Sequence, residues 1–211
     1  MSYRYRQLRK AGNSSDTGSH QHSTVSEALV CALPDSLNLN EAHSLPLSVT
    51  LAAVGLYQRN HLNLPLPRAH SGTREEREEY IQKVILIIDG ASEIGALATQ
   101  LATASGLRVI ATASKNDANF VTSLGASLVV DDQDPSAARG ELVAALDMGT
   151  MQFSGIFDTR STEQSCAQID ALLQDIAQSP RVCAVNPPPC PPKSFVPTVG
   201  EFSLQSELHL L

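Results

Sequence analysis

Six residues, Gly90-Ala-Ser-Glu-Ile-Gly95, stand between the apolar run 84–88 and a segment with helical periodicity. Small residues at such a junction let the backbone approach a phosphate, and the N–H groups and dipole of the helix start favour its charge. Gly90, Ala91, Ser92, Ile94 and Gly95 are therefore the candidate pyrophosphate cradle. A second chemical position is Ser114-Lys115-Asn116, after the next apolar run. An acidic residue there would hold a ribose 2′-hydroxyl, whereas a cation suits a 2′-phosphate. Ser114, Lys115 and Asn116 thus favour NADP(H) over NAD. The alternative is that Ser114 caps a helix beginning near Asn116 while Lys115 is solvated. Asp89 and Glu93 sit where a phosphate would not want them. A carboxylate within several ångströms of a pyrophosphate costs on the order of 1 kcal/mol or more unless screened.

The elements that must position these residues alternate regularly. Strand-like runs occupy 84–88, 107–112, 127–130, 153–157 and 181–185, with helix-period segments near 93–105, 116–124, 135–146 and 162–177. Ile94, Leu97, Ala98, Leu101 and Ala102 share one face of the first of these helices. Asp134-Pro135 supplies a cap and an N1 proline to the third. Ser161 and Gln164 have capping-box spacing at the fourth, whose buried stripe is Cys166, Ile169, Leu172, Leu173 and Ile176. This pattern predicts an α/β fold with a doubly wound parallel sheet, Rossmann-like, covered on both faces. Upstream, Asn40 reads as the N-cap of a helix running to about Gln58, which Pro46 must break or kink.

The chain of 211 residues can bury one sizeable core or one domain with an appendage. A net charge of −7 argues against a nucleic-acid surface, and no apolar run is long enough to span a membrane. Cys31, Cys166, Cys183 and Cys190 form no Cys-x-x-Cys pair and no clustered ligand set, so no metal site is expected and a reduced, cytoplasmic setting is. Arg4, Arg6, Arg9 and Lys10 give a basic start without the apolar face of a transit peptide. The expected division is a loose N-terminus over 1–24, a segment 25–67, a charged linker 68–82 around Arg74-Glu-Glu-Arg-Glu-Glu79, a cofactor-binding domain 83–186, and a proline-rich tail 187–211.

Two rival nucleotide users fail on the residues. A short-chain dehydrogenase needs Tyr-x-x-x-Lys downstream of the loop, but Tyr3, Tyr5, Tyr57 and Tyr80 all lie upstream. A methyltransferase wants an acid at the end of the second strand, where Ser114-Lys115 stands. Catalytic residues are not assigned. The histidines are scattered over loose segments and helix surfaces, and Asp158 could face a cofactor or cap the helix that follows it.

Several ordered motifs join these readings: Leu33-Pro-Asp-Ser-Leu-Asn-Leu-Asn-Glu-Ala42, Leu45-Pro46 with Gly55-Leu56-Tyr57, Leu64-Pro-Leu-Pro67, the loop and its helix, Ala111-Thr-Ala-Ser114, Ser123-Leu-Gly-Ala126 and Ile156-Phe-Asp158. In that order the chain resembles the medium-chain dehydrogenase/reductase superfamily, in its zinc-independent, quinone-oxidoreductase-like branch and the fungal trans-acting enoyl reductases. The resemblance implies an NADPH-dependent, metal-free reductase of a small-molecule substrate, with hydride delivered to an activated double bond or carbonyl. It implies a truncated member, in which 25–67 is a remnant of the N-terminal GroES-like domain and half of the usual cleft is missing. The departures are Asp89 in place of a first glycine or small residue, Glu93 near the second turn, Leu51-Ala52 for Thr-Ala, Asp132 for an aromatic and Asp117 for an Asn. They keep open a second expectation, a degenerate, non-catalytic nucleotide- or partner-binding protein. Truncation would leave exposed edges suited to a homo-oligomer or a partner chain.

Overall fold

The computed structural model describes residues 32–67, 82–147 and 151–187. The expectations on the basic N-terminus, the acidic run of the linker, the proline-rich tail, Cys31 and Cys190 lie outside them. The chain divides into two units, residues 1–48 and 49–211.

In the first unit a turn closes with the Leu37 N–H donating to Pro34 O at 3.1 Å, and a single helical turn, α1 (Leu39–Ala42), follows. Asn40 lies inside α1 and is not the cap expected of it. Pro46 does break the pattern, because it lacks the N–H that a continuous helix would use. The main helix, α2 (Leu45–Tyr57), starts just ahead of it, with the proline in its first turn, where no such bond is needed.

The second unit holds β1 (Lys83–Ile88), α3 (Glu93–Ala104), β2 (Arg108–Ala113), α4 (Ala118–Ser123), β3 (Leu128–Asp131), α5 (Pro135–Leu146), β4 (Gln152–Asp158), α6 (Glu163–Asp175) and β5 (Arg181–Ala184). All pairings are parallel, in the order β3-β2-β1-β4-β5. The α/β doubly wound sheet is as expected.

Strand β1 shows why both faces must be covered. It reads Lys-Val-Ile-Leu-Ile-Ile, and every residue after the lysine is buried. Because side chains alternate along a strand, Ile85 and Ile87 enter a core with Ala98 and Ala102 of α3, while Val84, Leu86 and Ile88 enter a second core with Leu142 of α5 and Ile169 and Leu172 of α6. Each such side chain contributes roughly 1.5–3 kcal/mol when buried. Polar alternation would have left one face wet, so this run commits the strand to the middle of the sheet.

The strand order reverses between β1 and β4. Chain that climbs β1 turns toward β2 and β3, and chain that climbs β4 turns toward β5. The loops at these two strand ends diverge and leave a crevice, the usual ligand position in an open α/β sheet.

Candidate cofactor site

The crevice is built from the turn after β1 and the turn after β4. Asp89 opens the first turn at φ 61°, in the left-handed region that costs an L-residue roughly 1–2 kcal/mol. What holds it there is bonding to the next strand. The Asp89 N–H donates to Thr112 Oγ1 at 3.0 Å, and the Gly90 N–H donates to Thr112 O at 2.8 Å. Ser92 then caps α3: its Oγ accepts from the Gly95 N–H at 3.1 Å and donates to Asp89 O at 2.8 Å.

Both glycines are required by close approach. A Cβ at Gly95 would stand 2.1 Å from Asp89 O, and one at Gly90 would stand 2.9 Å from the Cβ of Ala111. Neither contact is tolerable, so the turn is as tight as backbone allows, which is the geometry a phosphate cradle needs. Ala91 and Ile94 are half-buried, with their side chains packed against the core on the α3 face. Glu93 is exposed at the first position of α3.

The turn after β4 is organised by Asp158, which is fully buried. One of its oxygens accepts from the N–H groups of Arg160 and Ser161 at 3.0 and 3.1 Å. The other accepts from Ser165 Oγ at 2.7 Å. Asp158 is not the helix cap that was one of its two expected roles, because Thr162 takes that position; it ties its own loop to the start of α6 through Ser165. The capping box there is Thr162 with Ser165, one residue later than the expected Ser161 and Gln164. Ser161 is displaced from capping because it takes a left-handed turn at φ 54° and accepts from the Asn186 N–H instead. Thr159 crosses the crevice, its hydroxyl donating to Ile88 O at 2.8 Å and standing 3.0 Å from Ser92 Oγ.

Arg160 is the residue that sequence reasoning missed. Its Nε donates to Asp89 Oδ2 at 3.3 Å, and its Nη2 is bonded to Asp132 Oδ2. Burial alone would push this guanidinium down, but the charges and hydrogen bonds of Asp132 and Asp89 more than reverse that, and it is held above its ordinary range. Asp89 and Asp132 are thereby neutralised in part. The signal available in the sequence was a cation two residues past the strand run that ends at Phe157-Asp158. No spacing rule links such a cation to acids 28 and 71 residues away.

At the end of β2 the expected second position is folded on itself. Ser114 Oγ donates to the Asp117 carboxylate at 2.7 Å and accepts from the Asp117 N–H at 3.3 Å. This closes the turn that contains Asn116, and α4 begins at Ala118, so Ser114 does not cap a helix starting near Asn116. Lys115 is solvated as in the alternative reading, with its side chain 85% exposed and 3.4 Å from Asp131. A pair this exposed contributes about 1 kcal/mol at most. The structure therefore brings Gly90, Ala91, Ser92, Ile94 and Gly95 together in one turn and sets Ser114, Lys115 and Asn116 on a neighbouring one.

With this geometry in view, the similarities to known proteins take on meaning. No family model matches the chain. Trans-enoyl reductase himH of Aspergillus japonicus is 45% identical over 121 residues, 57% of this chain and 33% of that protein. A zinc-type alcohol dehydrogenase-like protein of Schizosaccharomyces pombe is 30% identical over 187 residues, 87% of this chain and 51% of that one. Among solved structures, the quinone oxidoreductase of Thermus thermophilus, described with its NADPH complex, superposes with a TM-score of 0.56 at 22% identity, covering 87% of this chain and 52% of that one. The chain is similar to members of the medium-chain dehydrogenase/reductase superfamily. It spans about half the length, or less, of these superfamily relatives. The described sheet carries the β1–α3 turn, and Asp89 stands there in place of the small residue that the resemblance implies.

Proposed function

We propose that this chain is a member of the medium-chain dehydrogenase/reductase superfamily, binds NADP(H) across the β1/β4 crevice and serves as the cofactor-binding part of a reductase acting on a small-molecule substrate. The observation that carries the reading is the pair of glycines packed too closely for any Cβ, placed where the strand order reverses. When bound, the nicotinamide would supply the hydride for an activated double bond or carbonyl. The chain's own contribution is positional. Gly90, Ala91, Ser92, Ile94 and Gly95 present backbone to the pyrophosphate, Ser114, Lys115 and Asn116 face the adenosine ribose, and residues 83–186 act as the cofactor domain. A cytoplasmic setting fits Cys166 and Cys183, which are buried as thiols. The enoyl and quinone reductase names among relatives favour a conjugated carbonyl compound as substrate.

A non-catalytic nucleotide- or partner-binding role is the second reading, and the bridge from Arg160 to Asp89 and Asp132 favours it, since it engages the turn that a dinucleotide would meet. One titration tests the cofactor binding that the reductase reading requires. NADPH added to the purified chain, followed by nicotinamide fluorescence, is expected to give saturable binding that Gly95→Ala abolishes. No binding at millimolar NADPH would overturn the reductase reading.

A further inference from the structure

The geometry points to Arg160 as a phosphate-recognising residue of the nucleotide site, with Asp89 and Asp132 serving to aim its guanidinium. This rests on the cofactor reading above and adds to it a residue outside the expected cradle.

Three observations converge. First, the guanidinium is brought to the right place. It is bonded to a residue just after β1 and to a residue just after β3, and β2 is the strand between those two. A side chain rooted after β4 thus reaches over the ends of β1 and β2, where a dinucleotide's phosphates belong. Second, its donors are not used up. Of the five N–H groups a guanidinium carries, the two carboxylates engage Nε and Nη2, and Nη1 has no partner among the described residues. The side chain is 30% exposed, so that edge can meet a ligand while the other edge stays anchored. Third, the residues expected to do this work are less well placed for it: Lys115 is solvated beside Asp131, and the Ser114 hydroxyl is turned onto Asp117. Arginine's planar fork suits a phosphate better than an exposed lysine does.

The arrangement also accounts for the acids near the cradle. Asp132 is nearly inaccessible and gives the fork a fixed anchor, while Asp89, the longer and more exposed contact, can yield to an incoming phosphate oxygen. The phosphate in question belongs either to the pyrophosphate or to the adenosine 2′ position, and two fragments tell these apart.

The test is calorimetric titration of ADP, adenosine 2′-monophosphate and NADPH into the full chain, the Arg160→Gln/Asp132→Asn double variant and Arg160→Lys. The double variant removes one cation and one anion together, so net charge is unchanged and no buried carboxylate is left alone. It is expected to weaken ADP at least tenfold if the pyrophosphate is the target, or adenosine 2′-monophosphate at least tenfold if the 2′-phosphate is. Arg160→Lys keeps the charge, loses the fork, and is expected to weaken the same fragment by a smaller factor; it carries the test if the double variant does not fold. Fragment affinities within twofold of the parent in the folded variants would overturn the assignment and leave the cofactor reading intact. Arg160-dependent fragment binding without NADPH binding would sustain the assignment and sink the reductase reading. A parent chain that binds none of the three would overturn both.

Discussion

Single residues at the centre of this sheet behave in ways set by their surroundings more than by their type. Cys183 of β5 has no surface exposure, and burial pushes its thiol up to about 12. An unfolded chain releases that proton near the ordinary thiol value of 9.0, so above that pH the unfolded state binds fewer protons than the folded one. The stability associated with Cys183 is thus fully present below pH 9 and is lost as pH rises toward 12. Urea unfolding midpoints are expected to fall between pH 8.5 and about 10.5, and to fall less in Cys183→Ala once its own baseline is subtracted. An equal fall in both would remove Cys183 as the cause. Tyr57 moves the same way, raised by burial although its contact with Ser105 at 3.0 Å opposes the shift. Asp89 shows the converse: an acid in a phosphate turn looks disabling on its own, yet here it is half of an ion pair.

At the scale of elements, the turn after β4 concentrates the polar bonding. Asp158 takes two backbone N–H groups and one hydroxyl, and through Ser165 it links β4 to the capping box of α6. Asp158→Ala would leave those donors buried and unpaired, at a cost of about 2–4 kcal/mol. Denaturant unfolding checks this, and the same variant should loosen Arg160 and weaken nucleotide binding. A cost below about 0.5 kcal/mol would mean that water replaces the carboxylate. The cap of α5 was legible, since Asp134 before Pro135 accepts from the Ser136 and Ala137 N–H groups at 3.0 and 3.2 Å. The cap of α6 was misread by one residue, because Ser161 and Thr162 are both competent caps. Only the left-handed turn at Ser161 decides between them.

For the whole molecule, the decisive property is the reversal of strand order, which makes a binding crevice out of two ordinary turns. A ligand that binds this crevice in the folded chain alone must stabilise it by mass action. At one hundred times its dissociation constant, NADPH should add about 2.7 kcal/mol. For a chain of this size that is a rise in Tm on the order of 5–10 °C, read by calorimetry. Saturable fluorescence without any rise would place binding outside the cooperative sheet. Among the described residues, no helix is long and apolar enough to cross a membrane.

Strand and helix positions, the covering of both sheet faces and the glycine turn were all readable from the chain, because each depends on neighbours within a few residues. Apolar runs, periodicity and caps are local physics. The bonds that give the site its character were not readable. Arg160 meets Asp89 across 71 positions and Asp132 across 28, and Ser114 turns to Asp117 when Lys115 beside it looked the better phosphate ligand on type alone. Charge pairing depends on distance in space, and only the parallel sheet, by bringing the ends of β1, β3 and β4 within one side chain's reach, decided which charges meet.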